Sequence, residues 1–346
     1  MSATPMSEAA KALASITKEP RKQLHISGVN MLNDCGQRFF YRYVMGIRRP
    51  PAAYVLVGKA TDEVVSQNLK NKITTGELLP RKEVIELADS EFEFQKNKTP
   101  IELDPDERKE GRTLDSVLVD AHDKTLAVVG LHHDQVAPNL LPTEVHRSFS
   151  INMDKFLRDR ARKLHEQARN AEDPYFQKTL KTQARALNVA ASVGMDFAGE
   201  YDIVENMTPD FLSIRDTNTS GKSPNKSLMD GSDRPGVADD SDQLTAYACA
   251  SAVIDGRLPT EMTLDYLIYT PKKHDLKYVP TKTSRTMSDV QVFLNRFANA
   301  VQAYRTGMFV PAKADWWGCS EKCCGYWDMC PYSKKPKLIQ ITKSPE

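Results

Sequence analysis

The chain has 346 residues, 40% hydrophobic and 27% charged, which excludes a disordered chain and a bundle of membrane spans. Its 47 basic residues nearly balance its 46 acidic ones, for a net charge of +1, so contact with nucleic acid has to come from a local basic patch rather than a global field. No apolar run reaches the roughly 18 residues of a spanning helix, and the N-terminal stretch lacks the apolar core of a secretory signal. A cytoplasmic location with no membrane partner is expected.

Residues 1–24 read as a weakly ordered, mildly basic arm. A helix opens near Ser27. Met31, Leu32, Cys35, Phe39 and Tyr43 recur three and four apart along one face. It ends at Arg48-Arg49-Pro50-Pro51, because proline disfavours helix in the residue before it. Further helices fit 58–74, with Ala60, Val64, Val65 and Leu69 inward, and 81–98. Residues 99–113 are charged and turn-rich. Residues 114–150 carry strand-like runs, of which 143–153 alternates best. Residues 153–195 are strongly charged with helical spacing, a helical insertion between strands. Residues 197–205 and 210–218 read as a strand pair joined by a turn at 206–209. A Ser-, Gly-, Pro- and Asp-rich loop covers 219–240, a length that is often functional. A helix at 241–254, a strand at 263–271 and an amphipathic helix at 287–305 follow. A cysteine cluster at 316–333 and a basic tail at 334–346 close the chain, which has no internal repeat.

Two aspartates stand out by position. Asp202 ends the first strand of the predicted pair and Asp216 lies late in the second. Neighbouring strands lie about 4.8 Å apart, so both carboxylates can converge on one divalent cation. Mg²⁺ and Mn²⁺ suit oxygen ligands, and such a cation can activate water against a phosphate.

Several segments resemble the RecB-like branch of the PD-(D/E)XK nuclease superfamily. Gly199-Glu200-Tyr201-Asp202, Asp216-Thr217-Asn218-Thr219 and Gln243-Leu244-Thr245-Ala246-Tyr247 resemble its central motifs, in order and spacing. Gly58-Lys59-Ala60-Thr61-Asp62 is similar to its Gly-x-x-x-His motif. Ser27 to Pro50 resembles its N-terminal helix, and Glu144 a recurrent strand glutamate. The resemblance covers about residues 25–333, as one nuclease domain. It implies an α/β fold: a restriction-endonuclease-like core, a central mixed sheet flanked by helices. It also implies Asp202 and Asp216 as metal ligands, assisted by Asp62 and Glu144. Gln243 and Tyr247 would orient the site or contact DNA, or else cap and pack their helix. Asp62 stands where the family has histidine, and aspartate is a competent ligand for a hard cation.

Asn218 occupies the family's catalytic lysine position. An amide hydrogen-bonds but carries no charge. Three readings stay open: an inactivating substitution, a natural DNA binder that does not cut, or a charge supplied by Lys222 or Lys226.

Cys319, Cys323, Cys324 and Cys330 crowd near the C-terminus; in a cytosolic protein this reads as metal ligation before disulfides. The iron–sulfur members of the family use one cysteine of the N-terminal helix and three near the C-terminus. The resemblance therefore implies a [4Fe–4S] cluster on Cys35, Cys319, Cys324 and Cys330, a staple joining the two ends of the domain, with Cys323 as a spare or alternative ligand. A Cys₄ zinc is the rival. Cys249 reads as core. Trp316, Trp317, Tyr326, Trp327 and Tyr332 either pack the staple or stack bases. Arg38, Arg42, Arg48 and Arg49, with Lys222, form a candidate phosphate-binding patch or a solvated face.

The expected function is metal-dependent DNA hydrolysis, as an exonuclease on ends or single strands. The resemblance extends to CRISPR-associated and RecB-type exonuclease domains of phage type, which implies a recombination or helicase partner. The alternative is a nuclease fold that grips DNA ends, or a partner, without cleaving.

Overall fold

The computed structural model describes residues 23–270 and 275–333. The arm expected over 1–24 and the tail over 334–346 lie largely or wholly outside them. The elements run β1 (Gln23–His25), α1 (Ile26–Phe39), α2 (Tyr54–Thr75), α3 (Arg81–Lys98), α4 (Pro105–Lys109), α5 (Leu114–Leu131), β2 (Glu144–Asn152), α6 (Asp154–Asn170) and α7 (Pro174–Ala191). Then come β3 (Asp196–Thr208), β4 (Phe211–Ser220), α8 (Asp242–Ile254), β5 (Glu261–Thr270), β6 (Asp275–Thr283) and α9 (Met287–Thr306).

The strands form one mixed sheet in the order β1-β3-β4-β5-β6, with β2 also on β3. β1 with β3 and β4 with β5 are parallel; the remaining pairs are antiparallel. Helices cover both faces. On one, α1, α6, α7, α8 and α9 bury Phe39, Leu157, Leu187, Leu244 and Phe297 against Phe197 and Tyr201. On the other, α2, α3 and α5 bury Leu56, Phe92 and Val128 against Ile203 and Leu267. The chain is thus an α/β fold with a central mixed sheet between helical layers.

Three expectations need correction. Residues 114–131 are helix, not strand. Val117, Ala121, Thr125 and Val128 make a buried helical row, and Thr113 caps it by accepting from the Ser116 N–H. The β-branched residues that suggested strand are there for packing. Second, Leu24 belongs to a strand, since Gln23–His25 pairs in register with residues 196–198. Third, residues 275–283 add an edge strand despite Pro280, a placement edge strands tolerate because no second neighbour needs the missing donor.

Gly199 is required by packing. It sits opposite Phe149, and a Cβ there would stand 2.5 Å from that ring's Cζ. The core also holds an ion network behind the sheet. Arg215 donates to both oxygens of Asp265, at 2.8 and 2.7 Å, and Tyr278 OH donates to Asp265 at 2.7 Å. Glu205 lies 3.5 Å from the same guanidinium. Burial holds the nearby His132 down at about 4, so it is neutral at physiological pH.

Candidate active site

β3 has two edges. β2 runs along one from residue 196 to 204, so β1, opposite 196–198, and β4, opposite 203–208, share the other. Residues 199–202 face the gap between them. Asp202 is the last residue of that gap, and Asp216 follows Arg215, whose pairing with Ile203 opens the β3–β4 ladder. In place of a ladder bond, the Thr217 N–H donates to Asp202 Oδ2 at 2.9 Å. The strands splay, and the two carboxyls meet there, close enough for Asp202 and Asp216 to hydrogen-bond each other.

Asp216 is held through both oxygens. Gln243 Nε2 donates to Oδ1 at 2.7 Å, and Asn218 Nδ2 donates to Oδ2 at 2.8 Å. Gln243 Nε2 also lies 2.9 Å from Tyr247 OH, one turn further along α8. Ser241 caps α8 by accepting from the Leu244 N–H at 3.2 Å. Arg285 then ties the helix start to the preceding loop, donating to Thr245 Oγ1 and to the carbonyls of Ala238, Asp239 and Ser241. The 219–240 loop therefore anchors the helix that presents Gln243.

Burial is the first cause that pushes both carboxyls above the ordinary range. The charges of Asp216 and Asp62 raise Asp202 further, while Asp62 and Asp265 raise Asp216. The Thr217 N–H and the Asn218 amide offset this in part. A group raised on folding contributes stability below its unfolded value, and that contribution is lost as pH rises through the raised value. Above that window the site carries uncompensated negative charge, which a proton or a cation relieves.

His146 escaped the sequence reading. Val145 opposes Ile203 and Arg147 opposes Tyr201, so His146 stands opposite Asp202. Alternation breaks in both strands there: Val145 and Ile203 pack on one face of the sheet, Phe149 and Tyr201 on the other. His146 has φ +53, a left-handed conformation costing on the order of 1–3 kcal/mol. Its Nε2 lies 3.1 Å from Asp62 Oδ1, and that bond raises the imidazole's pKa. Thus the helix position expected to carry histidine holds Asp62, and an imidazole reaches it from β2. Glu144 is placed elsewhere, paired with Arg147 at 3.3 Å and about half exposed. The left-handed residue at 146, where alternation breaks, sets it apart from His146.

Among the described residues no three His, Cys, Asp or Glu side chains are gathered so as to hold a metal ion. The donor set nevertheless suits a hard cation: Mg²⁺ is usually held by one or two carboxylates, with waters and substrate phosphates completing its shell. Asp202 lies mid-strand in β3 rather than at its end, and Asp216 mid-strand in β4; the two meet where the β3–β4 ladder opens. The PD-(D/E)XK nuclease superfamily model matches residues 23–331. The chain belongs to the PD-(D/E)XK nuclease superfamily. A crystal structure of a candidate exonuclease from Eubacterium rectale is similar at TM-score 0.47 and 9% identity, over 97% of this chain and 96% of that one. Among curated proteins there is no match.

In this PD-(D/E)XK chain, Cys35, Cys319, Cys324 and Cys330 line one cavity of about 20 Å³, while Cys323 faces a neighbouring groove. α1 breaks its helical geometry at Cys35 (φ −156, ψ 93). Next to it, Gly36 donates its N–H to Val310 O at 2.8 Å; a Cβ there would meet Phe309 Cα at 2.8 Å. Tyr326 closes the far side, its OH donating to Ile47 O at 2.9 Å. Arg38 lines the cavity with a buried Nε that has no partner among the described residues.

The remaining candidates are dispersed. Arg42 and Arg48 both lie over the Tyr43 ring, at 5.6 and 5.2 Å. Arg49 is exposed beside the groove that holds Cys323. Lys222 and Lys226 are exposed in the loop after β4. Arg38 therefore faces the cysteines, not the solvent-facing patch that its helical spacing suggested. Trp317 and Tyr332 are exposed and Tyr326 is buried. Cys249 is core, its thiol pushed up to about 12 by burial. Among the described residues no helix is long and apolar enough to cross a membrane.

Proposed function

We propose that the chain is a Mg²⁺- or Mn²⁺-dependent DNA exonuclease of the RecB-like branch, with a site weakened by Asn218. The observation that carries this reading is the facing pair Asp202 and Asp216, with both Asp216 oxygens fixed by Gln243 and Asn218. Asp202 and Asp216 would hold the cation, with Asp62 and His146 behind them. A bound cation supplies an activated water and neutralises charge on the scissile phosphate. The protein's own residues do the rest. Gln243 fixes Asp216, the Thr217 N–H fixes Asp202, and Tyr247 braces Gln243.

Calorimetry and thermal melts test it. Mn²⁺ at 100 times its Kd should stabilise the parent by about 2.7 kcal/mol. The gain should be larger near about pH 8 than near about pH 5, because the cation replaces protons that raised carboxyls still hold at low pH. Asp202→Asn should abolish the Mn²⁺ shift and leave the cation-free protein no less stable at the higher pH. A parent with no Mn²⁺ shift would sink the metal reading. The second reading, a DNA-end binder that does not cut, is favoured by Asn218 itself.

The [4Fe–4S] assignment rests on the resemblance: the four cysteines line one cavity that Arg38 shares, with its Nε unpartnered, but among the described residues no three of them are gathered as ligands. Anaerobically prepared protein should be brown. Cys35→Ala should lose the colour and the iron, and Cys323→Ser should keep both. A colourless, zinc-loaded preparation overturns this assignment. Recombination or helicase partners and a phage origin rest on the resemblance alone.

A further inference from the structure

The nuclease reading uses nothing from the helical hairpin α6–α7, yet that hairpin is strongly basic. Residues 154–191 hold nine basic and five acidic side chains, in a chain whose net charge is +1. The hairpin folds for ordinary reasons. Leu157, Ala161, Leu164 and Ala168 face Leu180, Ala184, Leu187 and Ala190 in the core. Beside that buried row on α6 lie Arg158, Arg162, His165 and Arg169, spaced four, three and four residues apart. Such spacing puts them on one face. With Lys181 and Asn188 of α7 they line a groove of about 460 Å³.

This arrangement works against stability. Like charges at helical i, i+4 spacing repel. Arg162 has Asp159 at 3.0 Å, but Arg158, Arg169 and Lys181 form no ion pair among the described residues. A solvated face built only for solubility would interleave acids. A concave row of cations with walls from two helices fits a polyanion. The row spans about 16 Å at about 1.5 Å per residue, and a strand of duplex DNA advances about 3.4 Å per nucleotide. The row thus matches several consecutive phosphates. The hairpin leaves the sheet at Asn152 and re-enters at Asp196, six residues from Asp202. That is about 20 Å along the strand.

We propose that the α6–α7 groove is a DNA phosphate-backbone site, separate from the cleavage site, on the hairpin whose return strand leads to Asp202. It rests on the reading of the chain as a DNA-acting nuclease. It carries no sequence preference, since the groove offers charge and no base-reading surface.

The test is Arg158→Gln/Arg162→Gln/Arg169→Gln, compared with the parent for binding of a fluorescein-labelled single strand across a salt series. Each lost phosphate contact reduces the slope of log K against log salt by about 0.7. The triple variant should lose about 2 from that slope and bind at least about tenfold more weakly at low salt. Its Mn²⁺ shift should match the parent's, and its melting temperature should equal or exceed the parent's because repulsion is relieved. A parent that binds DNA and a variant with the same slope overturns the groove and leaves the nuclease reading intact. A parent that binds Mn²⁺ but no DNA overturns both. A variant that melts lower and loses Mn²⁺ binding assigns the arginines to structure and overturns the groove; Lys181→Gln, which leaves α6 intact, should show a slope loss of about 0.7 on its own.

Discussion

Asn218→Lys is expected to raise the rate of DNA hydrolysis in Mn²⁺ by about 10²–10³-fold, the usual worth of one charge-stabilising group in a preorganised site. The position is well placed for it. Asn218 lies on β4 opposite Tyr266, and its amide already reaches Asp216 Oδ2 at 2.8 Å. An ammonium there would keep a donor beside Asp216 and add the charge the amide lacks. It would also offset the repulsion among Asp62, Asp202 and Asp216, so the variant should gain cation-free stability at high pH. Single-turnover cleavage of end-labelled single- and double-stranded DNA reads the effect. If parent and variant both leave DNA intact in Mn²⁺, hydrolysis is not the activity and the end-binding reading stands alone.

Arg215→Met should cost about 3–5 kcal/mol of folding stability, as removal of one partner from a buried pair does. Asp265 has no exposed surface, and Glu205 shares the same guanidinium. Losing Arg215 strands two buried acids beside each other. The pair Ile203–Arg215 also opens the ladder next to the cleft, so the same variant should weaken Mn²⁺ binding. Arg215→Met/Asp265→Leu should recover the part owed to Asp265, because an apolar pair there avoids its desolvation, while Glu205 still lacks its cation. Denaturant melts decide it. A single-variant loss under about 1 kcal/mol, the range of exposed pairs, would mean the network is solvated.

How far the molecule was legible in its sequence depends on what each element spends its residues on. Helices with one apolar stripe, such as α2 and α9, announce themselves through spacing. The β3–β4 pair does so through its turn and its β-branched runs. α5 does not, because Val117, Val128 and Val129 serve helix packing while looking like strand. β6 is hidden by Pro280, and β1 is too short to carry a pattern. At the site, Asp202, Asp216, Asn218, Gln243 and Tyr247 lie on elements that sequence order alone brings together. His146 depends on one rung of register and on a positive φ inside a strand, which no periodicity encodes. The family resemblance points instead to Glu144, two residues away, which pairs with Arg147. The positive φ at His146 and the break in alternation there separate it from Glu144.

The way α1 is held has a consequence for how the chain is made. Its predecessor β1 pairs with residues 196–198, Gly36 bonds Val310, and Asn33 Nδ2 donates to Arg296 O at 3.1 Å. All of these partners are synthesised long after α1 emerges. At about 5–20 residues per second, the interval between Gly36 and Val310 is about 15–55 s. During it Val29, Leu32 and Phe39 have no native surface to cover them, whereas α2, α3 and α5 can pack on one another at once. The first described helix, α1, is therefore among the last to settle, and the nascent protein carries an exposed apolar stripe for much of its synthesis.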